Sequence, residues 1–196
     1  MVFEPPMSNI PLWNLREEFH HVSEMLHSED FVAALRSHKR PVKTPILDWH
    51  GSGADLLSLL VQRAVLGVES YTVGAAWTKL IELGRMTTEL NEKVRNPFSI
   101  KGKPGTASAY YHKLPTLIHP DLSVAVVDPE FWAQLEDFYK KVRNPLFHGS
   151  HFASGDIHNA TKSFWFVEEL YAWLDQWHKP EWLPGQRLTL VIRADA

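Results

Sequence analysis

Arg143, Asn144 and His148 stand in the pattern Arg-Asn-x-x-x-His, inside Lys140-Lys141-Val142-Arg143-Asn144-Pro145-Leu146-Phe147-His148-Gly149. Nothing else in the chain concentrates so much possible chemistry. A histidine titrates near neutral pH and can act as base or acid. An arginine presents a planar donor fork that fits a phosphate. It can stabilise charge that develops on phosphoryl oxygens. An asparagine beside them can orient the histidine or hold an oxygen. One histidine cannot readily remove a proton and donate one in the same step, so a phosphate-directed reaction here calls for a second group.

The spacing, together with Pro145 and the His148-Gly149 pair, resembles the signature of HEPN domains. These are small helical bundles, many of which cut RNA without a metal. The resemblance covers one six-residue motif and an all-helical reading of the chain. It implies Arg143 and His148 as catalytic residues, Asn144 as their support, and no cofactor or metal. It also implies a homodimer in which two motifs face each other across a two-fold axis. The products expected of such an RNA cleavage are a 2′,3′-cyclic phosphate and a 5′-hydroxyl. A toxin or defence setting, with a cognate antitoxin protein as partner, belongs to the same implication. Many HEPN domains bind or scaffold without cutting, and that alternative stays open.

Other readings compete for the same residues. Lys93-Val94-Arg95-Asn96-Pro97-Phe98 echoes Lys141 to Leu146, with Ile100 in the place of His148. The echo shows that Val-Arg-Asn-Pro can be a helix stop, with the arginine near the terminal carbonyls. In that purely structural reading Asn144 caps the chain, Pro145 turns it and His148 fills a hydrogen-bonding slot. His148, His151 and His158 could instead hold a metal, although no Glu-x-x-His helix motif adjoins them in the sequence. Ser150 and Ser154 suggest no triad, since no strand-turn-helix elbow precedes them.

Composition narrows the class. A length of 196 residues suits a single domain, 1–196, and a 44% hydrophobic content can bury a substantial core. The absence of Cys removes disulfides and thiol chemistry, which fits a reducing cytoplasm. No apolar run approaches the roughly 20 residues of a membrane span. Met1 to Ile10 has neither a basic nor an apolar leader region, so no signal peptide is expected. With a net charge of −3, any RNA contact must be local rather than spread over the surface. The basic cluster Arg36, His38, Lys39, Arg40 and Lys43 reads first as a solvated loop and second as a phosphate patch.

Helical patterning must position the motif. Leu12, Leu15, Phe19, Val22 and Leu26 recur at helical spacing after Pro11, and Ser28 opens a shorter helix. Leu57, Leu60, Val61, Ala64, Val65 and Val68 form a wide stripe expected to be central, ending at Gly67 and Glu69-Ser70. A third helix runs from Val73 to Val94 and stops at Arg95-Asn96-Pro97. Residues 97–127 read as an irregular insertion, with a short helix around Tyr110 and Tyr111 interrupted at Pro115. Asp128-Pro129-Glu130 is a strong helix start. Phe131, Trp132, Leu135, Phe138, Tyr139 and Val142 face the core, and Pro145 is expected to stop that helix at Arg143-Asn144. The last helix carries Phe164, Val167, Leu170, Tyr171, Leu174 and Trp177 on its core face. Its crowd of tryptophans could also mark a dimer seam or a base-stacking platform. The tail, 180–196, has β character. The fold expected is all-α, an antiparallel bundle of about five main helices.

Overall fold

The computed structural model describes residues 53–102, 105–149 and 157–177, with Pro6, Glu17, His20, His21 and Glu24. Among these residues the chain is all-α, with no strand. Helix α1 spans Gly53–Glu82 and α2 spans Thr88–Arg95. Helix α3 is a composite of Thr106–Ser108, a π-helical turn at Ala109–Lys113, and Leu114–Thr116. The short α4 is Val124–Val127. Helix α5 combines Pro129–Phe138, a second π turn at Tyr139–Arg143, and Asn144–Phe147. Helix α6 is Ile157–Gln176. Glu17, His20, His21 and Glu24 are helical and exposed, the outward face expected of the first stripe. The basic cluster at 36–43, His151 and the tail 180–196 lie outside the described residues.

The long α1 is the centre of the fold. Val61, Ala64, Val65, Val68, Ala75, Ala76 and Leu80 on it are buried, and α6 packs along it. It runs through Gly67 and Gly74 and does not end at Glu69-Ser70. An interior glycine costs only about 1 kcal/mol against alanine, less than burying the apolar side chains beyond it contributes. The helix ends instead at Gly84, where φ is +64°. Gly84 N–H bonds Ile81 O and Arg85 N–H bonds Leu80 O, a glycine-terminated helix end. Thr87 then caps α2 through its hydroxyl, 3.1 Å from Leu90 N.

The start of α5 follows the sequence: Asp128 Oδ1 accepts from Phe131 N–H at 2.9 Å. Phe131, Leu135, Phe138 and Tyr139 are buried, and Lys141 pairs with Asp137 at 2.8 Å. Its end departs from expectation, because the helix passes through Pro145. A proline in a helix lacks an N–H and presses on the carbonyl four residues back. Widening the turn by one residue relieves both problems. Asn144 N–H accordingly bonds Tyr139 O, five residues back. The same device carries α3 through Pro115, with Leu114 N–H on Ala109 O. Within 97–127 the described residues form a succession of short helical turns. Tyr111, Leu114, Ile118, Leu122 and Val124 in it are buried.

The echo separates the two copies. Asn96 takes φ −132° and ψ 81°, and the helix stops as expected. Asn144 takes φ −63° and ψ −46°, and the helix continues. Lys-Val-Arg-Asn-Pro therefore has two conformations in one chain.

Candidate active site

The second π turn places two side chains four residues apart, Tyr139 and Arg143, on one carboxylate. Glu69 of α1 is 3% exposed. Arg143 Nε donates to Glu69 Oε1 at 3.1 Å, and Nη2 donates to Oε2 at 3.2 Å. Tyr139 OH donates to Oε1 at 2.9 Å. The hydroxyls of Tyr139 and Tyr111 lie 3.0 Å apart. Tyr139 has one hydrogen, spent on Glu69, so Tyr111 is the donor of that pair. Glu69, Tyr139 and Tyr111 thus form a chain of hydrogen bonds with Arg143 at its outer end. Helices α1 and α3 each send one residue there, and α5 sends two.

Arg143 is held on a second side. Its guanidinium carbon lies 4.0 Å from the Phe147 ring centroid, a cation–π contact. The arginine side chain is 15% exposed. A guanidinium has more N–H groups than its bonds to Glu69 use. Gln62, two turns before Glu69 on α1, donates to Leu146 O at 2.7 Å. The two tethers run in opposite order along the two helices, so α1 and α5 are antiparallel here.

The electrostatics follow from burial. Desolvation raises the Glu69 carboxyl above its ordinary range, and the Arg143 and Tyr139 contacts only partly oppose it. Burial also pushes the Tyr111 and Tyr139 phenols well above theirs. Both phenols are therefore neutral hydrogen-bond carriers at physiological pH, and neither is a base.

The expected site residues lie along the end of α5. Arg143 turns to Glu69 rather than to helix-end carbonyls. Asn144 is half-buried inside the helix and caps nothing. His148 closes the helix, its N–H on Asn144 O at 3.1 Å, and its side chain is exposed. Gly149, at φ +90°, follows. The motif thus presents one fixed, mostly buried arginine and one solvent-facing histidine. Among the described residues no three His, Asp or Glu side chains gather as a metal cage. Of His158 only the backbone is described. Trp173 and Trp177 are fully buried and stack edge to face at 4.9 Å. They are core, and no stacking platform for bases. Trp182 lies outside the described residues.

Glu69, Tyr111 and Tyr139 are the members of this site that sequence reasoning missed, Tyr139 being expected only as a core residue. A signal existed for Glu69. It lies four residues after Val65 and eight after Val61, on the apolar face of α1, where a charge needs a buried partner. Further along, Tyr71 OH donates to Asp175 at 2.7 Å, and its ring stacks on Tyr171. Those contacts tie α1 to α6. No described helix is long and apolar enough to cross a membrane. Comparison with protein-family models, curated proteins and solved structures gave no match.

Proposed function

We propose that this chain is a metal-independent endoribonuclease of the HEPN type that works as a homodimer. The observation that carries the reading is the state of Arg143. Glu69 fixes its edge and Phe147 its face, while N–H groups remain for another acceptor. A guanidinium fixed in advance stabilises developing charge without reorganising. It shares the end of α5 with His148, whose exposed ring is accessible to a substrate.

In the proposed reaction His148 removes the proton of a 2′-hydroxyl. The freed oxygen attacks the adjacent phosphorus. Arg143 donates to the phosphoryl oxygens as charge builds on them. The bond from phosphorus to the 5′-oxygen breaks, and His148 of the partner subunit protonates that leaving oxygen. Asn144 supports the histidine or a phosphate oxygen. The test incubates purified protein with structured RNA in excess EDTA, beside a His148→Ala variant. The wild type is expected to cut, and the variant to lose roughly a hundredfold or more. Cleavage that disappears in EDTA and returns with a divalent ion would overturn the proposal.

A second reading has an observation of its own. Glu69 already occupies two donors of Arg143, as a buried ion pair that fastens α5 to α1. A non-catalytic binding module would need no more. RNA or protein binding without any cleavage is its expected result.

A further inference from the structure

Phe98 is out of place as a packing residue. It is 46% exposed, and it is the aromatic among the exposed large apolar side chains of the described surface. The echo explains how it gets there. In the second copy the helix continues and buries Leu146. In the first copy Asn96 leaves the helix, Pro97–Ser99 forms a 3-10 turn, and Phe98, in the register of Leu146, is turned outward.

Phe98 begins a continuous run of aromatic rings that ends at the site. Its ring meets Tyr110 edge on, with centroids 5.8 Å apart. Tyr110 lies 6.2 Å from Tyr111. Tyr111 meets Tyr139 edge on at 5.8 Å, and Tyr139 shares Glu69 with Arg143. Tyr110 is half-buried, and its hydroxyl is close enough for both charges to act on it. Burial and Glu69 raise its pKa, and Arg143 lowers it. The exposed side chains within three residues of Phe98, Arg95, Asn96, Ser99 and Lys101, are polar or basic, and Glu89 on the preceding helix acts on Lys101.

We infer that Phe98 and Tyr110 form a stacking subsite for an unpaired base of single-stranded RNA, with Lys101 beside them for its phosphate. The chemistry of the patch selects this occupant. One aromatic side chain among polar and basic neighbours offers too little apolar area for a protein partner. A base flanked by phosphates needs a ring to stack on and cations around it. Arg143, whose charge reaches the Tyr110 hydroxyl, is where the same strand would present its scissile phosphate. The inference rests on the ribonuclease reading, whose nucleic-acid class it narrows to unpaired RNA.

The test uses full-length protein carrying His148→Ala, so that RNA stays intact, and an end-labelled single-stranded RNA. Adding Phe98→Ala or Phe98→Leu is expected to weaken binding about 5- to 150-fold, the range for one stacked base. Phe98→Leu keeps apolar contact with Tyr110, so its loss would not reflect misfolding. A scan with single abasic residues is expected to find a position whose base matters to the parent and not to the Phe98 variants. Equal binding by parent and both variants would overturn the subsite while leaving RNA cleavage by the wild type intact. Failure of the parent to bind RNA, with no cleavage by the wild type, would overturn the subsite and the ribonuclease reading together.

Discussion

Arg143 and Glu69, 74 residues apart in the chain, form a two-pronged pair with N–O distances of 3.1 and 3.2 Å. The pair makes Arg143 structural whatever else it does, and that separates two effects of mutating it. Arg143→Ala strands a buried carboxylate and is expected to destabilise by about 3–5 kcal/mol. Glu69→Gln is expected to cost less, because burial already opposes the charge there more than pairing favours it. The double variant, Glu69→Gln with Arg143→Ala, is expected to recover much of the lost stability and none of the cleavage. Urea unfolding of all four proteins measures the coupling. Additive losses would show that the pair contributes nothing to folding.

Stability should depend on pH through Glu69, with a sign opposite to that of most carboxylates. Its folded-state pKa is raised, so the folded chain binds this proton more tightly than the unfolded chain. The Glu69 contribution therefore grows as pH falls through the raised pKa towards the ordinary value of 4.5, and is lost as pH rises. Relative to Glu69→Gln, the wild type is expected to gain stability as pH is lowered from neutrality. A relative loss would place the pKa on the other side of its ordinary value.

The two copies of Lys-Val-Arg-Asn-Pro give an internal control. Arg95→Ala is expected to leave the cleavage rate near wild type, with at most a few-fold effect on RNA affinity. Arg143→Lys keeps a charge but cannot make the fork. It is expected to fold and to lose at least about tenfold in rate. Initial rates on one RNA substrate compare the two. Equal effects would mean that neither arginine is special to the chemistry.

The stripe of α5 was legible because Phe131, Leu135, Phe138 and Tyr139 repeat at helical spacing and all face the core. The core face of α6 was legible for the same reason. The end of α5 was not. The local rule says that a residue before proline leaves the helix, and Asn96 obeys it while Asn144 does not. What decides is tertiary: Leu146 is buried, its carbonyl accepts from Gln62, and Arg143 is tied to Glu69. None of those partners is near in sequence. Glu69 stands as a charge on an apolar face, but the expected helix end at Glu69-Ser70 conceals it, and its partner is 74 residues away. The motif's three residues were legible by type and spacing, whereas their division into one inward arginine and one outward histidine needed the π turn.

If two chains share one active centre that uses a histidine from each, His148→Ala should poison the wild type. Mixed with an excess of that variant and allowed to exchange subunits, wild-type chains enter heterodimers with one intact histidine. Cleavage per wild-type chain is expected to fall towards the level of the variant, and an unchanged rate per wild-type chain would exclude sharing. A wild type that sediments as a monomer while cutting RNA at full rate would exclude sharing. The second proton-transfer group would then lie within the chain.

The end groups of the cleaved RNA report the chemistry most directly. A 2′-oxygen nucleophile with histidine proton transfer leaves a 2′,3′-cyclic phosphate on one fragment and a 5′-hydroxyl on the other. Mass spectrometry of a short labelled RNA, cut in EDTA, resolves these ends. The same RNA with a 2′-deoxy sugar at the scissile position provides the control. The expected result is cyclic phosphate from the first substrate and no cut in the second. A 3′-hydroxyl with a 5′-phosphate, or cleavage of the deoxy substrate, would contradict the roles given to Arg143 and His148.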